Sequence, residues 1–188
     1  MPELPEVETV RRGLELQVAR FPIGETIVCR SRAVAAPKGD PDGFTAALRG
    51  CELARWRRRG KYLVAKLERD GAPAGELGVH LRMTGQFQWL QREERPPCPH
   101  TRVRFLSEKH ELRFVDVRSF GELWFVPLGT PTEQVITGLT RLGPEPFSDA
   151  FNANYLRQRL KGSSRPIKNA LLDQALVAGV GNIYADES

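Results

Sequence analysis

The residues that could do chemistry begin at the amino terminus, in the segment PELPEVE at positions 2–8. If Met1 is removed, Pro2 carries a free secondary amine, and an α-amino group titrates near pH ~7.7–8.0, so part of it is neutral at physiological pH. Such an amine can attack an electrophilic carbon and leave a covalent iminium ion. Glu3 beside it could act as an acid or a base. Taken alone, such a segment is more often simply the start of a helix with proline and glutamate in its first turn.

Four later segments combine basic, aromatic and turn residues in ways that suit contact with a nucleic acid. They are RGKY at 59–62, HLRMTG at 80–85, DVRSFG at 116–121 and VAGVGNIYADE at 177–187. A lysine at a hairpin tip could meet a phosphate, and a methionine or phenylalanine could enter a base stack. Two glycines before a helix, with Asn182 at its cap, expose amides that can hold a phosphate. Taken singly, these segments also fit a polar turn, a core methionine, an exposed arginine beside a core aromatic residue, and an ordinary helical hairpin.

Composition limits the classes of protein that need to be considered. The formal net charge is +5 over 188 residues, which favours a polyanionic partner without requiring one. Cys29, Cys51 and Cys98 form no CxxC pair, so they indicate neither a zinc site nor a disulfide framework, and a reducing compartment fits best. No apolar run approaches the length of a membrane span, and the acidic, proline-bearing start is unlike a signal peptide. We expect a cytoplasmic protein.

The elements that must position these residues divide into a β-rich part and a helical part. Val7, Val10, Leu14 and Val18 recur at helical spacing after Pro5 and predict a first helix. A strand at 26–30 and a short helix at 44–48 should follow. Between residues 53 and 126, apolar and polar residues alternate in short runs separated by turn signals, which predicts a sandwich or a barrel.

After residue 131 the pattern becomes helical. We predict helices at 132–139, 153–160 and 167–176, and a fourth that begins near Asn182. The Gly179-Val180-Gly181 loop should make a tight connection between the last two. The sequence stops at Ser188, a few residues into the fourth helix, and we therefore expect the chain to be truncated.

Taken together and in this order, the five segments resemble the formamidopyrimidine-DNA glycosylase family, also called the Fpg/Nei family. The resemblance covers the whole chain, and its most specific parts are PELPEVE at 2–8 and GVGNIYADE at 179–187. It implies an α+β fold with an amino-terminal catalytic β-sandwich domain, flanked by helices, at 1–131. A helical domain with a helix–two-turn–helix motif should occupy 132–188, incomplete and lacking the family's zinc finger.

The resemblance also implies roles for ten residues. Pro2 corresponds to the nucleophile and Glu3 to the catalytic acid, while Glu6 and Lys61 lie in the active-site region. The residues implied to bind DNA are Lys61, His80, Asn182 and Lys168. The residues implied to fill the gap left by a flipped nucleotide are Met83, Arg118 and Phe120. No metal ligand is implied within the chain.

The function implied is the removal of oxidised purines, such as 8-oxoguanine and formamidopyrimidines, from damaged double-stranded DNA. A Schiff base at the amino-terminal proline would then allow the same site to cut the strand as an abasic-site lyase. No cofactor is implied in this chain, and structural zinc is expected only in a full-length member. We expect a monomer without membrane contact, in the bacterial cytosol or nucleoid. Two alternatives remain: a pyrimidine-preferring enzyme like endonuclease VIII, and a catalytically impaired DNA-binding fragment.

Overall fold

Two β-sheets packed face to face form the larger part of the protein in a computed structural model that describes residues 1–188. The strands are β1 (Phe21–Pro22), β2 (Glu25–Val28), β3 (Val34–Ala36), β4 (Glu52–Arg59), β5 (Tyr62–Arg69), β6 (Ala72–His80), β7 (Gly85–Gln91), β8 (Thr101–Leu106), β9 (His110–Asp116) and β10 (Glu122–Val126). One sheet has the order β1-β4-β5-β6-β10-β3 and the other the order β2-β8-β9-β7. All neighbours are antiparallel except β3 and β10.

The hydrophobic core lies between the two sheets, as the alternation along the strands predicts. Leu63, Ala65 and Leu67 of β5 are buried and belong to the same apolar cluster as Phe105 of β8 and Phe114 of β9. Alternate residues of a strand point to one face, so each sheet contributes one apolar face. The α+β class is therefore confirmed, and of the two predicted architectures, sandwich and barrel, the structure is a sandwich of two separate sheets.

The first helix, α1 (Leu4–Gln17), closes one side of the core. Glu3 caps it: the Glu3 side chain accepts from the third helical residue, and the Glu6 carboxylate accepts from the Glu3 amide at 2.9 Å. Val7 and Leu14 are buried against the sandwich, which confirms the predicted apolar stripe.

Two predicted boundaries in the amino-terminal part differ from the structure. The strand predicted at 26–30 is β2 at Glu25–Val28. The helix predicted at 44–48 is α2 (Pro41–Leu48), which begins three residues earlier because the Asp40 side chain accepts from the Gly43 amide at 2.7 Å. Proline at the first helical position adds to this start, since its missing N–H has no helical partner there.

The helical part contains α3 (Thr132–Val135), α4 (Ala153–Leu160), α5 (Ile167–Leu171) and α6 (Asn182–Glu187). The predicted bounds of α4 are confirmed, as is the predicted start of α6 at Asn182. The helix predicted at 132–139 breaks at Ile136, which leaves the helix to become buried beside β10, and a short 3₁₀ turn follows at Thr137–Arg141. The helix predicted at 167–176 ends at Leu171, because the segment beyond it folds around the side chain of Gln174.

Candidate active site

The start of the chain is clamped to the start of the last helix. The carboxylate of Glu3, which is only 2% exposed, accepts from the amides of Gly181 at 2.8 Å, Ile183 at 3.0 Å and Tyr184 at 3.3 Å. The next residue, Leu4, donates its amide to the carbonyl oxygen of Gly179. Pro2 is therefore held against the helix–two-turn–helix, although the two segments stand at opposite ends of the chain.

This clamp corrects one expectation about the glycine loop. We predicted that amides near Asn182 would be available for a phosphate, but the Glu3 carboxylate accepts from those of Gly181 and α6, and the Gly179 amide donates to Gln174 at 2.9 Å. Asn182 is the first residue of α6 rather than its cap, and Gly181 holds the cap position. The amides on either side of Asn182 are therefore occupied, and its own amide and side chain are what it can offer to a phosphate.

Glu6 adds a second link between α1 and α6. Besides accepting from the Glu3 amide, it accepts from the Tyr184 hydroxyl at 3.0 Å. Burial alone would raise the pKa of Glu6, but these two hydrogen bonds outweigh it and hold the pKa below its usual value. The same bond raises the pKa of the Tyr184 hydroxyl. Glu6 is therefore an ionised group that fixes the Glu3 backbone, and sequence analysis had not singled out Tyr184 as its partner.

Lys61 lies in the turn between β4 and β5, as predicted, but it is only 6% exposed. Burial lowers the pKa of its amine, while the nearby carboxylates of Glu3 and Glu6 act in the opposite direction. A lysine in such a place can exchange a proton more readily than a solvated one. The geometry thus favours a role for Lys61 in the chemistry as well as in binding a phosphate.

The Lys61 turn is held from the helical part by a residue that sequence analysis missed. Glu145 accepts from the Gly60 amide at 2.7 Å and forms ion pairs with Arg58 at 2.7 Å and Arg59 at 3.1 Å. No local pattern around Glu145 marks it, because its partners lie about 85 residues earlier in the chain. The contact fixes the turn that carries Lys61.

Two adjoining clefts open beside these residues. The first, of about 490 Å³, is lined by Lys61, His80 and Asn182, and the second, of about 930 Å³, by Met83 and Phe120. Met1 lines both clefts. Removal of Met1 would therefore leave the Pro2 amine at the junction between the side chains predicted to bind DNA and those predicted to fill a gap in it.

The void-filling candidates project from two neighbouring loops. Met83 is 38% exposed in the turn before β7, and Phe120 is 42% exposed in the loop after β9. The guanidinium of Arg118 lies 5.0 Å from the centre of the Phe120 ring. Such partly exposed apolar side chains are available to insert into a stack of bases.

Lys168 stands apart from this group. It lies on α5, lines neither cleft, and forms an ion pair with Asp186 at 2.6 Å. The predicted site residues that line the two clefts are Lys61, His80, Asn182, Met83 and Phe120, with Arg118 beside Phe120.

His80 is buried at the floor of the first cleft. Its Nδ1 accepts from the Arg82 amide at 3.0 Å, and its ring stands edge-to-face with Tyr62, at 4.6 Å between centroids. Burial, with smaller contributions from the charges of Arg82 and Lys61, lowers the pKa of His80 from 6.5 to about 3. The imidazole is thus neutral, and it can contact a phosphate only as an Nε2–H donor.

Replacing His80 by asparagine should make the free energy of unfolding less dependent on pH between 6.5 and about 5. The folded pKa is about 3, whereas the unfolded side chain takes up a proton near pH 6.5. The unfolded state therefore binds more protons in this window. The free energy of unfolding decreases as the pH is lowered, by up to about 1.4 kcal/mol per pH unit. Urea unfolding at several pH values measures this slope. An unchanged slope in the variant would contradict a buried neutral imidazole.

Many of the basic residues are compensated inside the protein. Besides the pairs of Glu145, Arg57 pairs with Glu76, and a pair of arginines flanks the fully buried Glu111. The arginines at 57–59 thus serve largely to join elements of the fold. The clefts, rather than the net charge, favour contact with a nucleic acid.

The cysteines do not fit the zinc site that the resemblance implies for complete members of the family. Cys51 is buried and contacts Arg69 at 3.3 Å, while Cys29 and Cys98 are exposed. No group of three or more His, Cys, Asp and Glu side chains is arranged to hold a metal ion. No helix is both long and apolar enough to cross a membrane.

These contacts define a class of protein: an α+β chain in which the first residues of a β-sandwich are clamped to a helix–two-turn–helix. A family model of the formamidopyrimidine-DNA glycosylase N-terminal domain matches residues 1–123, and a model of the H2TH domain of these glycosylases matches residues 142–188. The chain belongs to the formamidopyrimidine-DNA glycosylase family.

Relatives and solved structures agree with this assignment. The formamidopyrimidine-DNA glycosylases of Parasynechococcus marenigrum (strain WH8102) and Prochlorococcus marinus (strain MIT 9313) are 62% and 58% identical over the whole chain, which covers 66% and 68% of them. Lactococcus lactis Fpg (MutM), in complex with DNA containing an oxidised pyrimidine, matches 99% of the chain and is covered to 66%, with a TM-score of 0.86 and 34% identity. A mutant of that protein in complex with DNA containing Fapy-dG has a TM-score of 0.85 and 35% sequence identity. The chain spans about two thirds of the length of these relatives.

Proposed function

We propose that the protein is a base-excision-repair DNA glycosylase with abasic-site lyase activity, acting on oxidised purines in double-stranded DNA. The observation that carries this proposal is the junction at Met1, where removal of one residue leaves a secondary amine between two clefts. One cleft offers Lys61, His80 and Asn182 to the DNA backbone, and the other offers Met83 and Phe120 to the base stack. This arrangement suits an enzyme that extrudes a nucleotide and attacks its sugar.

In the first step, the nitrogen lone pair of Pro2 forms a bond to C1′ of the extruded nucleotide. The bond from C1′ to the base breaks, and the base leaves with that electron pair and takes up a proton. Pro2 then loses its N–H proton, the C1′–O4′ bond breaks, and O4′ takes up a proton, so that the opened sugar is joined to Pro2 as an iminium ion at C1′. The positive charge acidifies the neighbouring sugar protons, and elimination expels the phosphates on either side of the lesion.

Glu3 is suited to assist the ring opening from a fixed position. An ionised carboxylate offers about four lone-pair sites, and three of them accept from the amides of Gly181, Ile183 and Tyr184. The capping box of α1 supplies a fourth donor, the amide of the third helical residue. Glu3 can therefore exchange a proton with the sugar only when one of these hydrogen bonds opens.

The remaining parts of the proposal follow from the family. We assign residues 1–131 to the catalytic domain and 132–188 to the helix–two-turn–helix domain. Lys168 can contact DNA through the donors that its ion pair with Asp186 does not use. We place structural zinc outside the residues described here, and the whole protein, as a monomer, in the bacterial cytosol or nucleoid.

A second range of substrates is favoured by one comparison. Lactococcus lactis Fpg is described in complex with DNA that contains an oxidised pyrimidine. Oxidised pyrimidines are therefore included as substrates of lower preference, which keeps the pyrimidine-preferring alternative open to direct measurement.

Borohydride trapping tests the proposal. The full-length protein that carries this sequence should become covalently attached to duplexes containing 8-oxoguanine, because reduction converts the Pro2 iminium ion into a stable amine. An undamaged duplex and a reaction with sodium chloride in place of borohydride are the controls. Comparison with an oxidised-pyrimidine duplex orders the two substrate classes. Binding without trapping on any damaged duplex would contradict the enzymatic function and favour a DNA-binding module.

A further inference from the structure

A buried carboxylate joins the two loops that carry the void-filling candidates. Asp116, at the end of β9, is fully buried. Its Oδ2 accepts from the Gly121 amide at 2.6 Å, and its Oδ1 accepts from the Arg118 amide at 3.2 Å and from the Thr84 hydroxyl. All three donors belong to the two loops, and none of them carries a charge.

The Thr84 hydroxyl completes the connection. It donates to Asp116 and accepts from the Arg118 amide at 3.0 Å. Thr84 follows Met83 in the turn before β7, whereas Arg118 and Phe120 belong to the loop after β9. The position of Met83 is thus tied through two hydrogen bonds to the backbone that carries Arg118.

The backbone beneath this junction is also fixed. Buried Arg102 donates its Nε to the Asp116 carbonyl oxygen at 2.7 Å. Both loops contain a non-glycine residue at positive φ, Arg82 at 55° and Ser119 at 57°. Such conformations persist only where the surroundings hold them. A side chain at Gly121 would lie 2.6 Å from the Phe114 ring, so the loop backbone packs directly against the core at this end.

We propose that Asp116 is the positioning residue that makes Met83, Arg118 and Phe120 act as one rigid unit when a nucleotide leaves the duplex. The inference rests on the proposed function, because only an enzyme that extrudes nucleotides needs such a unit. Side chains that replace a base stabilise the kinked duplex only if they keep their position against the stack. The Asp116 carboxylate and the Thr84 hydroxyl supply that rigidity without touching the DNA.

The arrangement requires a carboxylate and not merely a polar side chain. Asparagine has one acceptor oxygen and one amide donor in place of the two acceptor oxygens. In either orientation, its amide group would face an N–H group or the Thr84 hydroxyl. Asp116→Asn should therefore loosen one loop relative to the other while the buried volume stays nearly constant.

The test compares base excision with cleavage of a preformed abasic site in the full-length protein under single-turnover conditions. Asp116→Asn should slow excision of 8-oxoguanine by about a hundredfold, because small misplacements of a supporting group cost orders of magnitude. Cleavage of the abasic site should change by less than about threefold, because no base must be removed and flipping is easier. Asp70→Asn, an exposed position at the far end of β5, is the matched control and should leave both rates unchanged.

Two further measurements separate positioning from a loss of structure. Thr84→Val replaces the hydroxyl by a methyl group and should slow excision by about tenfold. Thr84→Ser keeps the hydroxyl and should excise at the rate of the unsubstituted protein. In a Met83→Ala/Phe120→Ala background, adding Asp116→Asn should cost less than about threefold, because residues acting as one unit are not additive. If Asp116→Asn does not fold, the Thr84 pair decides alone.

Different results contradict the inference and the proposed function. The role of Asp116 would be overturned if Asp116→Asn or Thr84→Val excised 8-oxoguanine at the rate of the unsubstituted protein. It would also be overturned if Asp116→Asn slowed excision by the same hundredfold in the Met83→Ala/Phe120→Ala background. The proposed function fails earlier, if the unsubstituted protein cannot be trapped on damaged DNA.

Discussion

An additional residue left in front of Pro2 should abolish covalent trapping and slow both base removal and strand cutting by about a thousandfold or more, as for the loss of other catalytic nucleophiles. An acylated proline nitrogen is an amide with no available lone pair. The free α-amine would then belong to the preceding residue, about 3.6 Å away. Met1, which lines both clefts, would in addition occupy the space needed by the sugar.

Intact-mass measurement and borohydride trapping on the same preparations check this expectation. One preparation has Met1 removed and a tag at the carboxyl terminus, and the other carries the same tag in front of Pro2. Binding of both preparations to an undamaged duplex should be measured in parallel, because a residue in front of Pro2 also occupies the cleft that holds Lys61 and Asn182. Equal trapping by the two preparations would eliminate Pro2 as the nucleophile.

Gly181→Ala should lower the rate of base excision by about a hundredfold, because it displaces a supporting group of the site. A Cβ at residue 181 would lie 2.3 Å from Cδ and 2.4 Å from Oε1 of Glu3, so either the carboxylate or the start of α6 must move. Overpacking of this kind also costs about 1–3 kcal/mol of stability. Because Pro2 precedes Glu3 directly, the amine moves with the carboxylate.

Gly13→Ala provides the matched control for this substitution. Gly13 lies within α1, and a Cβ built there meets no atom within 4 Å. Alanine should stabilise the helix by about 0.5–1 kcal/mol and leave the rate of excision unchanged. Thermal unfolding and single-turnover excision of both variants give the comparison. If Gly181→Ala excised the base at the rate of the unsubstituted protein, the clamp between Glu3 and α6 would be dispensable for catalysis.

The parts of the fold that could be predicted from the sequence depend on neighbouring residues. The alternation of Leu63, Ala65 and Leu67 and the helical spacing of Val7 and Leu14 express local periods, and both were confirmed. Strands β1 and β3 have two and three residues, too few for a period to be visible, so their places in the sheet were not foreseen.

The helices at 132–139 and 167–176 were predicted too long because apolar residues continue beyond their ends. The structure ends them through distant contacts. Ile136 leaves its helix for a cluster beside β10. Gln174 accepts from the Gly179 amide and donates to the carbonyl oxygen of Val180 at 2.7 Å, and so folds the following segment.

The candidate site could be predicted by residue type but not by environment. Lys61, His80 and Asn182 were singled out, and they line one cleft. The burial of Lys61 depends on elements far away in the chain, as does the occupation of the α6 amides by Glu3. Asp116 stands in a segment that the sequence marked, yet an aspartate before a loop looks the same whether it points inward or outward. The one signal in the sequence for an inward-pointing Asp116 was Gly121, whose amide donates to its carboxylate.

The Glu3 clamp also determines when the protein becomes competent. Its partner Gly181 is separated from it by 178 positions, and contacts of such separation form late because a long loop must close first. The sandwich can collapse around its own core while the amino terminus is still loosely held. A nascent chain emerging from the ribosome therefore exposes its proline long before α6 exists to orient it. The order of synthesis thus acts as a safeguard, since a reactive amine acquires its support only when the whole site has assembled.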